Sequence, residues 1–119
     1  MLRVSMTDKK KLRDGHFREL DAEQIDKFRN RIDRIDEELV RLLNERVGCA
    51  LEIGQIKHSS GVEVYQPTRE REVVDHVHSV SKGPITRMGL TRLFKQIIDE
   101  TRRMEDDRNS SGMDEEEIK

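Results

Sequence analysis

The sequence predicts an all-α fold with three helices per chain, one very long and two shorter, in an intertwined helical dimer. Three observations carry this. Charged residues make up 40% of the 119-residue chain, hydrophobic residues 33% and aromatics 3%, with no Trp; that balance suits helical bundles and coiled coils better than sheets. From Ile25 onward, alternating three- and four-residue steps pick out Ile25, Phe28, Ile32, Ile35, Leu39, Leu42, then Arg46, then Cys49, Ile53 and Ile56, which is one continuous helix face. Finally, the run is too long for its own domain. It would span about 50 Å as a helix, whereas a compact domain of this size is about 30–35 Å across. A second chain lying parallel or antiparallel along the seam would cover it, so a dimer follows from geometry.

The elements follow in order. Residues 1–20 are charge-rich and poorly periodic, with Lys9-Lys10-Lys11 and Gly15, and read as a flexible arm. Asp21 is the expected N-cap of the long helix, with Gln24 three residues on as in a capping box. The seam runs to about Lys57, and Ser59-Ser60-Gly61 ends it. Val62 to Gln66 is a short extended connection, and Pro67 is placed as the first residue of the second helix. Val73, Val74, Val77 and Val80 form its stripe, with Gly83 as the stop. Thr86 caps the third helix, whose stripe is Leu90, Leu93, Phe94, Ile97 and Ile98 and continues through Thr101, Met104 and Glu105. Residues 21–106 are therefore the domain. Residues 107–119, acidic and rich in small residues, are expected to be a disordered tail.

Composition excludes several function classes. Twenty-three basic residues against 25 acidic ones give a net charge of −2, so the basic excess of a nucleic-acid binder is missing. Cys49 is the lone cysteine, which rules out an internal disulfide; on the seam it reads as a small buried thiol. Met1 to Gly15 holds no apolar stretch of signal-peptide length, and no run reaches the length of a membrane span, so the expected location is cytoplasmic. His76 and His78 are two apart and point different ways on a helix, so no metal site is expected. Neither a serine nucleophile set beside histidine and acid nor a glycine-rich phosphate loop occurs.

The informative positions are those that break the apolar pattern. Arg46 stands on the seam where a leucine should be, and a permanently charged guanidinium there is costly unless an anion meets it. Eleven residues on, close to three turns, Lys57 returns to nearly the same face. Arg69-Glu70 opens the second helix, and Thr101 and Glu105 sit one turn apart on the third. Each has a plain alternative: a structural ion pair or a snorkelling arginine, a solvated first turn, a threonine bonded to its own helix backbone, or a fraying stripe. Together they describe a polar pocket walled by three helices, with two cations suited to a small anion.

Arg29…Ile32…Ile35-Asp36…Leu42-Leu43…Glu45-Arg46…Ile53-Gly54…Lys57, then Val64-Tyr65-Gln66-Pro67…Arg69-Glu70, then Leu93-Phe94…Ile97-Ile98, resemble the all-helical chorismate mutases over roughly residues 25–105. The Gly83-Pro84-Ile85 connection and the third helix look most like the mutase domain of bifunctional chorismate mutase–prephenate dehydratases. With no dehydratase sequence following, the expectation is a free-standing mutase or an excised domain. The resemblance implies chorismate as substrate, no cofactor, and a homodimer. It assigns Arg46 to one substrate carboxylate and Arg29, reaching in from the partner chain, to the other. Helix geometry agrees with that division, since Arg29 is about 25 Å from Arg46 and about 100° round the helix. Lys57 matches the lysine at the ether oxygen, Glu70 the acceptor of the ring hydroxyl, and Arg69 a supporting arginine. Thr101 falls where the family often has serine, while Ile53 and Ile98 would line the apolar wall. Gln66 departs from the aspartate that many members carry before the proline position. Glu105 lies beside the ether oxygen, where some members carry Gln and others Glu.

The implied reaction turns chorismate into prephenate, breaking one C–O bond and forming one C–C bond within one molecule. It asks of a protein only that it fold the substrate into its reactive conformer and stabilise charge growing on the ether oxygen. The rival on the same fold is an isochorismate pyruvate-lyase. A non-catalytic helical dimerisation module would account for the seam but not for Arg46, Lys57, Thr101 and Glu105.

Overall fold

Helix boundaries in this chain are set by local backbone chemistry. The computed structural model describes residues 18–63 and 66–118, and these form three helices, α1 (Glu19–Ser59), α2 (Pro67–Val80) and α3 (Arg87–Ile118), with no strand among them.

The long helix starts before Asp21. The Arg18 carbonyl accepts from the backbone N–H groups of Asp21 and Ala22, both at 3.1 Å. Asp21 does not cap, because its carboxylate is taken up by the Arg18 guanidinium, whose Nε and Nη2 each donate to it at 3.0 Å. Gln24 accordingly forms no capping box with it. The other end matches its expectation. Gly61 adopts φ +73°, its N–H donates to the His58 carbonyl at 3.2 Å, and the Val62 N–H reaches back to Lys57 at 2.9 Å. This pair of bonds is the Schellman stop, which glycine favours because a Cβ disfavours positive φ.

Pro67 is the first residue of α2, as its fixed φ and missing N–H suit. Gln66 precedes it in extended conformation without a side-chain cap bond, and its carbonyl accepts from Arg69 and Glu70. Within the connection, Val64 and Tyr65 lie outside the described residues, as do 1–17 of the N-terminal arm. Thr86 caps α3, its Oγ1 accepting from the Gly89 N–H at 3.0 Å. That helix runs past Asp106 to Ile118. Ion pairs one turn apart, such as Arg103–Glu100 at 3.0 Å, support α3 just before Asp106.

The chain divides into two compact units, Met1–Leu43 and Asn44–Lys119. In the first, the described residues are the N-terminal part of α1. Its seam residues Phe28, Ile32, Ile35, Leu39 and Leu42 are each 50–58% exposed, so this face has nothing packed on it in the single chain. The second unit holds the rest of α1 with α2 and α3. Half-buried Val73, Val74, Val77, Leu90, Phe94, Ile97 and Ile98 give its interior, and no described hydrophobic side chain is fully buried. Cys49, expected to be buried, is exposed, because the seam around it lacks a covering element.

Polar links pin α2 to α3 at both ends of their antiparallel pairing. At one end His78 Nε2 lies 2.8 Å from Thr91 Oγ1 and 3.2 Å from the Arg87 carbonyl. The other ring nitrogen, Nδ1, is buried with no hydrogen-bond partner among the described residues. At the other end Arg102 Nη2 donates to Glu70 Oε2 at 2.5 Å.

Candidate active site

Within the second unit the three helices wall a cavity of about 340 Å³, near the lower end of small-ligand sites. On α1, the 3.6-residue repeat returns Arg46 and Lys57 to one wall, with Cys49, Ala50, Ile53 and Gly54 between them. Gln66 and the first turns of α2 add Arg69, Glu70 and Val73, and α3 adds Ile98, Thr101, Arg102 and Glu105.

The cations are poorly neutralised. The Arg46 guanidinium stands 6.0 Å from the centroid of the Phe94 ring, at the limit of a cation–π contact. Burial, and after it the charge of Arg69, pull its pKa below the ordinary value. A guanidinium does not lose its proton in a protein, so that shift means an uncomfortable charge. Among the described residues no carboxylate forms an ion pair with Arg46 or Lys57. The Lys57 ammonium donates instead to the neutral amide oxygen of Gln66 at 3.0 Å. Arg69 is turned outward, 3.6 Å from Glu72 with both side chains well exposed, a pair of little energetic weight.

Two acids face these cations. Glu70 is engaged by Arg102. Glu105 is half-buried, and its pKa is raised, chiefly by desolvation and then by the neighbouring Asp106, against smaller opposing effects of Arg102 and Lys57. It therefore keeps its proton to higher pH than an ordinary carboxylate and can serve as a hydrogen-bond donor. Thr101 is buried, with its hydroxyl donating to the Ile97 carbonyl of its own helix at 2.7 Å, so toward the cavity it offers lone pairs. Chemically, this is a largely apolar chamber with two cations that form no ion pair among the described residues and one carboxyl group whose pKa is raised. Such a lining suits a small anion.

Of the residues singled out from sequence, Lys57, Glu105, Arg46, Arg69, Glu70, Thr101, Gln66, Ile53 and Ile98 line this cavity. Arg29 lies in the first unit, exposed, and is not among the lining residues. Arg102, Cys49, Ala50, Gly54 and Val73 line the cavity without having been singled out for it. For Arg102 the available signal was its place four residues after Ile98, one turn along the same face. Gly54 entered the sequence reading only as part of the Ile53-Gly54 pair of the family pattern.

A family model described as chorismate mutase type II matches residues 28–106, well over half of the chain. The chain belongs to the chorismate mutase type II family. Among curated relatives, a bifunctional chorismate mutase/prephenate dehydratase of Aquifex aeolicus (strain VF5) is 38% identical over 80 residues, 64% of this chain and 22% of that protein. A chorismate mutase of Methanocaldococcus jannaschii is 30% identical over 60 residues, 50% of this chain and 61% of that one. The chain spans about a fifth of the length of the bifunctional relatives it matches. A solved chorismate mutase (form II) from Thermus thermophilus shares 31% identity at a TM-score of 0.68, covering 70% of this chain and 94% of that one. This is the family that the residue pattern resembles, and the neighbour supports the all-helical fold.

Gly54 has a definite place in this family member. A Cβ built on it would stand 3.2 Å from the Glu105 carboxyl carbon and 3.4 Å from Oε2, so the bare helix face at Gly54 is the seat of the Glu105 carboxyl group. Gly54→Ala should raise helix propensity by about 1 kcal/mol and hold or increase the melting temperature, because the flexible carboxyl end can swing aside. With Glu105 read as a donor to substrate, turnover should fall, since its carboxyl group has moved. Parallel thermal melts and activity assays check this; a variant with unchanged activity would show that the seat does not matter.

Proposed function

We propose that this chain is a chorismate mutase, converting chorismate to prephenate in phenylalanine and tyrosine biosynthesis in the cytoplasm. The observation that carries the reading is that Arg46 and Lys57, neither ion-paired among the described residues, line the same small cavity as Glu105, whose pKa burial raises. A dianionic substrate supplies the missing negative charge. Arg46 binds one carboxylate, and Arg29 of a second copy binds the other, holding the enolpyruvyl arm over the ring. Lys57 and protonated Glu105 donate to the ether oxygen as its bond to the ring breaks and negative charge collects there. Glu70 accepts from the ring hydroxyl, with Arg69 supporting the electropositive rim, and Gln66 holds the Lys57 ammonium. Ile53 and Ile98 pack against the apolar ring. To donate to a substrate carboxylate, the Thr101 hydroxyl must release Ile97.

Purified protein should consume chorismate, followed by loss of its absorbance, and yield prephenate as the identified product. Lys57→Ala should lower kcat by about 10²–10³-fold, the scale of losing one oxyanion donor, with a much smaller change in KM. Retention of most turnover would remove Lys57 from the ether oxygen. Consumption of isochorismate in place of chorismate would favour the lyase reading. A dimerisation module would turn over neither.

The exposed seam supports the dimer, since a helix face this apolar gains stability only by burial. With Arg29 supplied in trans, mixing Arg29→Ala and Arg46→Ala chains should restore activity, because an antiparallel exchange puts both lesions in one site and none in the other. No recovery after confirmed subunit exchange, or a fully active monomer in sedimentation, would overturn the composite site.

Activity should also depend on the Glu105 proton. Its raised pKa keeps the acid form to higher pH, so turnover should be greatest under mildly acidic conditions and decline as Glu105 ionises and repels the developing oxyanion. Glu105→Gln keeps a donor at all pH values and should flatten that decline. A wild-type profile that is flat from about pH 5 to 9 would contradict this role, as would a Gln variant impaired throughout.

A further inference from the structure

Arg102 enters the cavity wall from α3 without belonging to the cation set that the apolar pattern exposes. Its guanidinium is half-buried, with the side chain 35% exposed, and it reaches across the helix pair to Glu70, itself 25% exposed. Nη2 donates to Glu70 Oε2. On its other arm, Nη1 lies 3.8 Å from Asp99 Oδ1, one turn back on the same helix. Arg102 is thus tied to its own helix by one arm and holds an α2 carboxylate with the other. Glu70 sits in the first turn of α2, next to Arg69, which points away toward Glu72. Its carboxylate would otherwise be free to turn among several rotamers.

We propose that Arg102 is a positioning residue of the active site. It fixes the Glu70 carboxylate by one oxygen, leaving the other to accept a hydrogen bond from the ring hydroxyl of the substrate. The inference rests on the mutase reading and deepens it by placing hydroxyl recognition on a two-residue unit that bridges α2 and α3. The guanidinium suits this task better than an ammonium because its planar fork serves two carboxylates at once. Since a hydroxyl contact is made in the ground state and the transition state alike, its loss falls mainly on KM.

The test is a double-mutant cycle on the full chain, with kcat and KM for chorismate measured well below each variant's melting temperature. Arg102→Ala should lower kcat/KM by about 10- to 100-fold, the scale of one hydrogen bond to a charged group, chiefly through KM. In a Glu70→Ala background the same substitution should change kcat/KM by less than about threefold, because nothing remains for Arg102 to position. Arg102→Lys, which keeps a charge and one donor, should recover part of the loss; it also serves as the readable variant if Arg102→Ala does not fold. Equal effects of Arg102→Ala in both backgrounds would overturn the proposal. So would a variant that melts earlier yet keeps wild-type KM, since Arg102 would then be a strut between helices. An inactive wild type would instead overturn the mutase reading, an outcome distinct from active chains with additive mutations.

Discussion

A positive charge that cannot be discharged, standing on the apolar wall of a helix, is the constraint from which the rest of this site follows. Arg46 is partly desolvated and set near a second cation, an arrangement that a fold tolerates only if stability is supplied elsewhere or if an anion arrives. The surroundings are arranged for the second solution. Lys57 is held by an amide rather than a carboxylate, Arg69 leans outward, and the nearest acids are either tied up, as Glu70 is, or inclined to stay neutral, as Glu105 is. An ion-pair network built for stability would place carboxylates within reach of these cations. Here the wall is left electropositive, which is what the proposed dianionic substrate would meet.

Much of this was legible in the sequence because helix ends and charged exceptions are local features. Pro67, Thr86 and the Ser60-Gly61 stop mark boundaries through their own backbone requirements, and they do so whatever the rest of the chain does. Arg46, Lys57, Thr101 and Glu105 were visible because each interrupts an apolar stripe. What escaped depends on geometry between elements or on competition among neighbours. Arg18 outcompetes the backbone for the Asp21 carboxylate, which moves the start of α1 forward. Arg102 acquires its importance from the register of α2 against α3, which no periodicity within one helix records. The use of Gly54 shows only once Glu105 is seen against it. Cys49 was expected inside because the seam was read as covered, whereas that face lies open in the single chain.

The hairpin of α2 and α3 links these observations. The His78 contacts at one end and the Arg102–Glu70 bond at the other fix how far one helix slides along the other. That register sets which turn of α3 stands beside Glu70 at the start of α2. Cap residues take part in the same arrangement. Gln66 terminates α2 with its backbone carbonyl while its side chain is spent on Lys57, so one residue sets both the helix start and the pose of a site cation.

The neutrality of that Gln66 contact has an effect on ligand capture. An aspartate at this place would hold the ammonium as firmly but would close its field lines within the protein, leaving the mouth of the cavity near electrical neutrality. The amide orients Lys57 while letting its potential extend into solvent, where it joins that of Arg46. Potentials of this kind raise the local concentration of approaching anions and speed their encounter, and they fade as ionic strength shortens the screening length. The choice of amide over carboxylate at a single loop position thus leaves one more positive charge to attract anions toward the site on a chain whose overall charge is slightly negative.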